Sequence, residues 1–195
     1  MSSNSSDLKK TIRRERLAAR DAIPADLRIE KSLAMAEHGS RIEFEPGTVV
    51  SGFSPIRSEA DIRPLMFAMR EKGARLCLPV VKDRETIIFR DLVRGAELVD
   101  TGFGTAGPGP EAEIIDPQLL LVPLSAFDAT GNRIGYGAGH YDRAIARLRD
   151  KGMTPRLIGI AFACQEVEAV PAEPHDVPLD AILTEDGLRH LGGRA

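Results

Sequence analysis

Leu119-Leu-Leu-Val-Pro-Leu-Ser-Ala-Phe-Asp-Ala-Thr-Gly-Asn-Arg-Ile-Gly-Tyr-Gly-Ala-Gly-His-Tyr-Asp-Arg143 passes from a continuous apolar run, through a polar loop, to three alternate glycines just ahead of a predicted helix. An apolar run without alternation marks a strand buried on both faces, as in a parallel sheet covered by helices. The loop of residues 125–139 follows at the strand's carboxyl end, where open α/β sheets bind ligands. Glycine at 135, 137 and 139 lets the backbone take positive φ and approach a ligand. The free N–H groups of the helix start beyond it favour anions. Arg133 and Arg143 bracket the loop, and Asp142 offers a hard oxygen to a divalent cation bridging phosphates. Taken alone, the glycines fit an ordinary tight loop at least as well. With the arginines and the acid, the segment reads as a nucleoside triphosphate site with magnesium. It is not a Walker A loop, having no Gly-Lys-Ser/Thr ending, nor a dinucleotide fingerprint, because His140 takes the last glycine position.

Outward from this stretch, short apolar runs alternate with helical segments. Strands are predicted over residues 48–53, 75–78 (stopped by Pro79), 86–90, 119–122, 157–161 and 181–183. Helices are predicted over 7–22, 25–38 with Gly39 as the stop, 62–72 closed by Gly73, and from Tyr141 through Ile145 and Leu148 to near Gly152. Residues 102–109 read as a Gly-rich loop. The pattern predicts an α/β fold: a single open, mostly parallel sheet flanked by helices on both faces, with an N-terminal helical arm. The 195 residues suit one domain over 1–195, with residues 1–6 expected to be disordered.

The arm has an unusual pattern. Lys9, Arg13, Arg16 and Arg20 share one face within about 60°, beside a narrow apolar stripe of Leu8, Ile12, Ala19 and Ile23. Such a row is either a solvated face or an arm laid across phosphates or a polyanionic substrate.

Lys plus Arg total 26 against 29 Asp plus Glu, and a net charge of −3 gives no general attraction for nucleic acid. Cys77 and Cys164 sit in apolar runs without Cys-x-x-Cys spacing and are expected to be buried free thiols. Without an apolar leader or a run of roughly 20 apolar residues, the chain is expected to be cytoplasmic, with no membrane partner.

Other polar groups are fewer. His175-Asp176 lies in a proline-rigid segment, where Asp176 either joins Asp142 around magnesium or caps a turn. Residues 128–132 hint at a calcium loop but lack its spacing and terminal Glu, so a turn is expected. Glu59 and Ser54 follow the first strand; a carboxylate there either pairs with the N–H edge of a heterocycle or caps the next helix. No nucleophile elbow surrounds Ser54 or Ser125, and the histidines are too scattered for zinc.

Lys9-Lys-Thr-Ile-Arg13, Ser58-Glu-Ala-Asp61, the Val-Pro…Phe-Asp…Arg-x-Gly-Tyr-Gly-x-Gly signature over residues 122–143, and residues 162–165, Pro171 and His175-Asp176 in order together resemble the 5-formyltetrahydrofolate cyclo-ligases. The resemblance implies a fold shared with some ribose-phosphate isomerases and coenzyme A transferases. It implies ATP and Mg2+ as co-substrate and cofactor, and a folate substrate converted from the 5-formyl to the 5,10-methenyl form. ATP would be bound by Lys9, Lys10, Arg13, Arg133, Ile134, Gly135, Tyr136, Gly137, Ala138, Gly139, His140 and Tyr141. Folate would be bound by Arg13, Ser54 and Glu59, and the metal by Asp142 and Asp176, with Arg13, Tyr141 and Arg143 catalytic. Two positions depart from the family pattern: Gly107 stands where an acid is common, and His140 replaces the first of two aromatics. The competing readings are an isomerase or an acyl or coenzyme A transferase on the same fold, and a folate- or nucleotide-binding protein without turnover. A monomer is expected.

Overall fold

Successive residues of the central strand enter opposite hydrophobic layers. Leu119 and Leu121 join Met35, Leu65 and Met69, whereas Leu120 and Val122 join Ile145 and Leu148. The same alternation divides Leu76 and Leu78 from Cys77, and Ala181 and Leu183 from Ile182. A sheet with two buried faces needs helices on both, and the chain supplies them.

The computed structural model describes residues 2–102, 104–173 and 176–191; His175 therefore lies outside the described residues. The elements run α1 (Ser2–Asp21), α2 (Ala25–His38), β1 (Val49–Ser51), α3 (Arg63–Glu71), β2 (Arg75–Val81) and β3 (Ile87–Asp91). They continue with β4 (Leu98–Gly102), β5 (Thr105–Pro108), β6 (Leu119–Pro123), β7 (Ala126–Phe127), β8 (Arg133–Ile134) and α4 (His140–Asp150). Last come β9 (Arg156–Ile160), β10 (Ala181–Thr184) and β11 (Gly187–His190). Seven strands form one sheet in the order β11-β10-β9-β6-β1-β2-β3. Its inner five strands are parallel, and β3 and β11 run antiparallel at the edges. Buried residues of α2 and α3 belong to one layer and those of α4 to the other. This is the expected α/β architecture, with β6 at its centre. Among the described residues no helix is long and apolar enough to cross a membrane.

Several boundaries differ from expectation for physical reasons. The α1 helix begins at Ser2, so residues 2–6, expected to be disordered, are helical. Extending an existing helix by one turn costs little even where the sequence has no apolar signal. Pro79 does not stop β2, which continues to Val81. Its neighbour β1 pairs only as far as Cys77, so the missing N–H of Pro79 leaves no gap on that side. The expected Gly-rich loop of residues 102–109 instead contributes to a hairpin, β4 with β5, outside the main sheet. Most of β4 is exposed and lacks the buried alternation that identifies a strand. Cys77 is buried and Cys164 half-buried, both free.

The stretch of residues 128–132 is a turn, as expected, joining β7 to β8 as a two-stranded ribbon. Asp128, 3% exposed, organises it. Its carboxylate accepts from Thr130 N (2.9 Å), Thr130 Oγ1 (2.7 Å), Asn132 N (3.1 Å), Asn132 Nδ2 (3.1 Å) and, from a distant loop, Val170 N (2.9 Å). Burial pushes the Asp128 pKa up, but these donors outweigh it and hold the carboxyl below its usual range. Asp128→Ala strands several donors and is expected to cost about 3 kcal/mol in urea unfolding. Asp128→Asn should cost less. Its deficit should shrink as pH falls through the lowered pKa, because the carboxylate's stabilisation exists above the unfolded-state pKa and is lost on protonation of the native state.

Candidate active site

Each cation of the α1 row binds a different piece of backbone or side chain. Lys9 Nζ is 2.7 Å from Asp176 Oδ2 and 3.6 Å from Glu173 Oε2. Arg13 Nε donates to Gly135 O at 2.7 Å, and Arg16 Nη1 to Cys164 O at 3.2 Å. Arg20 Nε donates to Ser58 Oγ at 2.9 Å and its Nη1 to the Tyr136 hydroxyl at 2.7 Å. Three loops are thereby tied to one helix: that after β1, that after β6, and that after β9. All leave the carboxyl ends of parallel strands. Ile12 packs on Ala126, Ile134 and Val170, whereas Leu8 of the expected apolar stripe stays exposed. The row is thus bonded to the body of the protein rather than left as a solvated face.

Arg20 is 2% exposed, an unusual place for a guanidinium. Its charge is balanced through two hydroxyls. Ser58 accepts from Arg20 and donates to Asp21, while Tyr136 accepts from Arg20 and donates to Glu59. The guanidinium also lies over the Tyr136 ring, 5.8 Å from its centroid. Glu59 Oε2 takes a further bond from Ile56 N at 2.8 Å. Burial raises the Glu59 pKa, opposed by the Tyr136 and Ile56 bonds and by the charges of Arg20 and Arg57. Burial and the neighbouring Glu59 charge push the Tyr136 and Tyr141 phenols up, so both stay protonated.

The glycine loop delivers backbone to the site. Gly137 (φ 101°) and Gly139 (φ 66°) take left-handed conformations, while Gly135 does not. Gly135 contributes its carbonyl instead, to Arg13 and, at 3.4 Å, to Ser125 Oγ. A Cβ at Gly137 would sit 3.6 Å from the Arg13 guanidinium carbon, and one at Gly139 2.8 Å from Arg143 Nη1. Gly139 begins α4 with no side-chain cap, so the helix's first N–H groups face outward as donors. On α4, Arg143 donates to Ala138 O (2.6 Å) and Glu85 O (2.7 Å), and His140 Nε2 lies 2.9 Å from Arg84 O. The β2–β3 turn is thus fastened beside the loop.

A cavity of about 740 Å³ opens between these parts. Ser54, Arg57 and Glu59 line one wall, Gly135, Tyr136 and Ala138 to Asp142 another, and Arg84 reaches in from the β2–β3 turn. The Tyr141 hydroxyl is buried and without a hydrogen-bond partner among the described residues. Such a group has unspent donor capacity, and its residue lines the cavity. Arg133 Nη2 holds Asp142 Oδ1 at 2.5 Å, and its Nη1 donates to Val177 O, the residue after Asp176. One guanidinium thus ties Asp142 to the backbone of the segment that carries Asp176. Among the described residues no group of three His, Cys, Asp or Glu forms a protein-only metal cage. Two carboxylates do fit magnesium, which takes one or two plus phosphate oxygens and water.

Of the residues read from the sequence, the structure gathers Arg13, Ser54, Glu59, Arg133, residues 135–142 and Arg143 around or directly behind the cavity. Ile134 is buried behind it on β8, and Lys9 and Asp176 form a neighbouring pair. Lys10 is not brought there; it is exposed and paired with Asp7 at 3.1 Å. Sequence reasoning missed the pairing of Arg20 with Ser58 and Tyr136, and the cavity positions of Arg57 and Arg84. The one signal for Arg20 is its place next to the apolar stripe, at the row's inner end. Gly107, one of the two departures noted in the sequence, has room for little: a Cβ there would lie 3.2 Å from Val80 Cγ2 and 3.3 Å from Thr101 Cγ2.

The 5-formyltetrahydrofolate cyclo-ligase family model matches residues 5–185. The 5-formyltetrahydrofolate cyclo-ligase of Mycolicibacterium smegmatis is 32% identical over 184 residues, covering 90% of this chain and 93% of its own. That of Escherichia coli K12 is 32% identical over 141 residues, covering 69% and 76%. The solution structure of Aquifex aeolicus 5,10-methenyltetrahydrofolate synthetase superposes with a TM-score of 0.79 at 30% identity, over 96% of this chain and 95% of that one. Sequence and fold agree over nearly the full length, and this chain belongs to the 5-formyltetrahydrofolate cyclo-ligase family.

Proposed function

We propose that the protein uses ATP and magnesium to convert 5-formyltetrahydrofolate to 5,10-methenyltetrahydrofolate, releasing ADP and phosphate. The observation that carries this reading is one cavity lined by two unlike sets of groups: a glycine loop and helix start rich in N–H donors and cations, and a half-buried carboxylate on the loop after β1. The first suits phosphates and the second suits the N–H edge of a pterin.

The chemistry asks for such a site. A formamide oxygen is a weak nucleophile and a poor leaving group. It attacks the γ-phosphorus as ADP departs; N10 then bonds to the formyl carbon, loses its proton, and phosphate leaves with the oxygen. The protein needs no covalent nucleophile, only alignment and charge neutralisation. Arg13, Arg143 and the loop amides serve the phosphates, Tyr141 offers its unspent hydroxyl to the reacting groups, and Glu59 with Ser54 orients the pterin. Asp142 and Asp176 would hold Mg2+, which supplies charge neutralisation on the phosphates when bound. The enzyme works as a cytoplasmic monomer on small molecules, with neither nucleic acid nor membrane as a partner.

Methenyl-folate absorbance should appear from 5-formyltetrahydrofolate only when ATP is present, with ADP formed in equal amount. Binding of both ligands without turnover would leave a non-catalytic binder, and turnover of a sugar phosphate or acyl thioester without ATP would leave the isomerase or transferase reading. Asp142→Asn should raise the magnesium concentration for half-maximal rate by at least about tenfold, measured by titration of the nucleotide-saturated enzyme. Glu59 accepts hydrogen bonds on both oxygens only when ionised, and burial raises its pKa above the ordinary value near 4.5. In the pH profile of kcat/KM for folate, the acid limb should therefore fall above that value, and Glu59→Gln should remove the limb along with most of the activity.

A further inference from the structure

The turn of Ile56 to Glu59 closes with Glu59 N donating to Ile56 O at 3.1 Å, and Arg57 at its first central position has a φ of 53°. It is the one non-glycine residue with positive φ among the described residues. Turns with a left-handed first position select glycine, asparagine or aspartate, because a Cβ there crowds the following carbonyl. A long basic side chain has no conformational reason to be there, and strain of this kind collects at ligand sites. Its side chain lines the cavity, and its charge acts on Glu59 two residues on. Arg57 is exposed while Glu59 is half-buried, so this loop presents the cavity with a more deeply set carboxylate and a more exposed cation.

That order matches a ligand with a neutral hydrogen-bonding heterocycle at one end and an anion at the other. We propose that Arg57 is a specificity residue that binds a carboxylate of the glutamate carried by the folate, thereby selecting glutamylated substrate over the pteroate core. The inference rests on the cyclo-ligase reading and deepens it. The triphosphate is the other anion in that reading, but its wall has its own cations in Arg13, Arg133 and Arg143. Arg57 lines the cavity from a different loop, the one that carries Ser54 and Glu59.

Arg57→Gly tests this, because glycine suits the turn better than arginine does. The unaltered enzyme should favour 5-formyltetrahydrofolate over 5-formyltetrahydropteroate, which lacks the glutamate, by roughly 10–100-fold in kcat/KM. In Arg57→Gly the two substrates should become nearly equal through loss on the glutamylated one alone. KM for ATP should stay unchanged, and Tm should hold or rise. A variant that keeps the wild-type preference, or that loses both substrates equally with a raised KM for ATP, would overturn the assignment. If the unaltered enzyme turns over neither folate, the cyclo-ligase reading itself falls and this inference with it; turnover with an unaltered glutamate preference in the variant removes Arg57 alone.

Discussion

A single guanidinium, that of Arg20, joins the helical arm to both walls of the cavity. It reaches Glu59 through the Tyr136 hydroxyl and Asp21 through that of Ser58, so one buried positive charge is shared between two acids without touching either. A charge nearly out of water is tolerable only if its donors are met and its field is balanced. Here both conditions fall on hydroxyls from separate loops. The loop after β1 and the loop after β6 are therefore constrained together: moving either one strands Arg20. The cavity between them inherits that rigidity, which catalysis by alignment requires.

The remaining cations of α1 extend the same device along the edge of the sheet. Successive turns of a helix are 5.4 Å apart, so Lys9, Arg13, Arg16 and Arg20 form a ruler laid across the loops leaving the parallel strands. Each bond but one is to a backbone carbonyl or an uncharged hydroxyl. For Arg13 and Arg16 such acceptors leave the positive charge unneutralised, whereas that of the buried Arg20 is balanced by Asp21 and Glu59. Lys9 is the exception, neutralised by Asp176. Arg133 similarly satisfies Asp142. Asp176 and Asp142 are thus both paired with cations, and a metal at Asp142 would have to compete with Arg133 or take the other carboxylate oxygen.

The sheet was legible in the sequence because its signal is local. Apolar runs at 119–122, 157–161 and 181–183 mark strands buried on both faces, and glycines at 39, 73 and 152 mark the ends of α2, α3 and α4. The hairpin of β4 and β5 was not legible, because β4 is largely exposed and its strand character comes from pairing rather than from alternation. At the site, the glycines at 137 and 139 gave themselves away by spacing, as did Arg133 and Asp142 by flanking them. The partners of the α1 row did not. Arg20 and Tyr136 are 116 positions apart, and Lys9 and Asp176 are 167 apart. A periodicity argument can place four cations on one stripe but carries no information about which loops the fold brings beneath it.

This division also explains why one row supported two incompatible readings. A solvated face and a phosphate arm both treat the cations as independent charges, differing only in what lies opposite. The structure adds a positional role, since each guanidinium of the row is bonded to a particular loop. Arg13 illustrates the point: its Nε is spent on Gly135 O, which orients the planar fork against Gly137, where no Cβ intervenes. A lysine there would carry the same charge with no second edge to present once its ammonium bonded the carbonyl. Positioning by one edge of a guanidinium leaves the other edge for a ligand, and an arginine rather than a generic cation is what the loop needs at that turn of the helix.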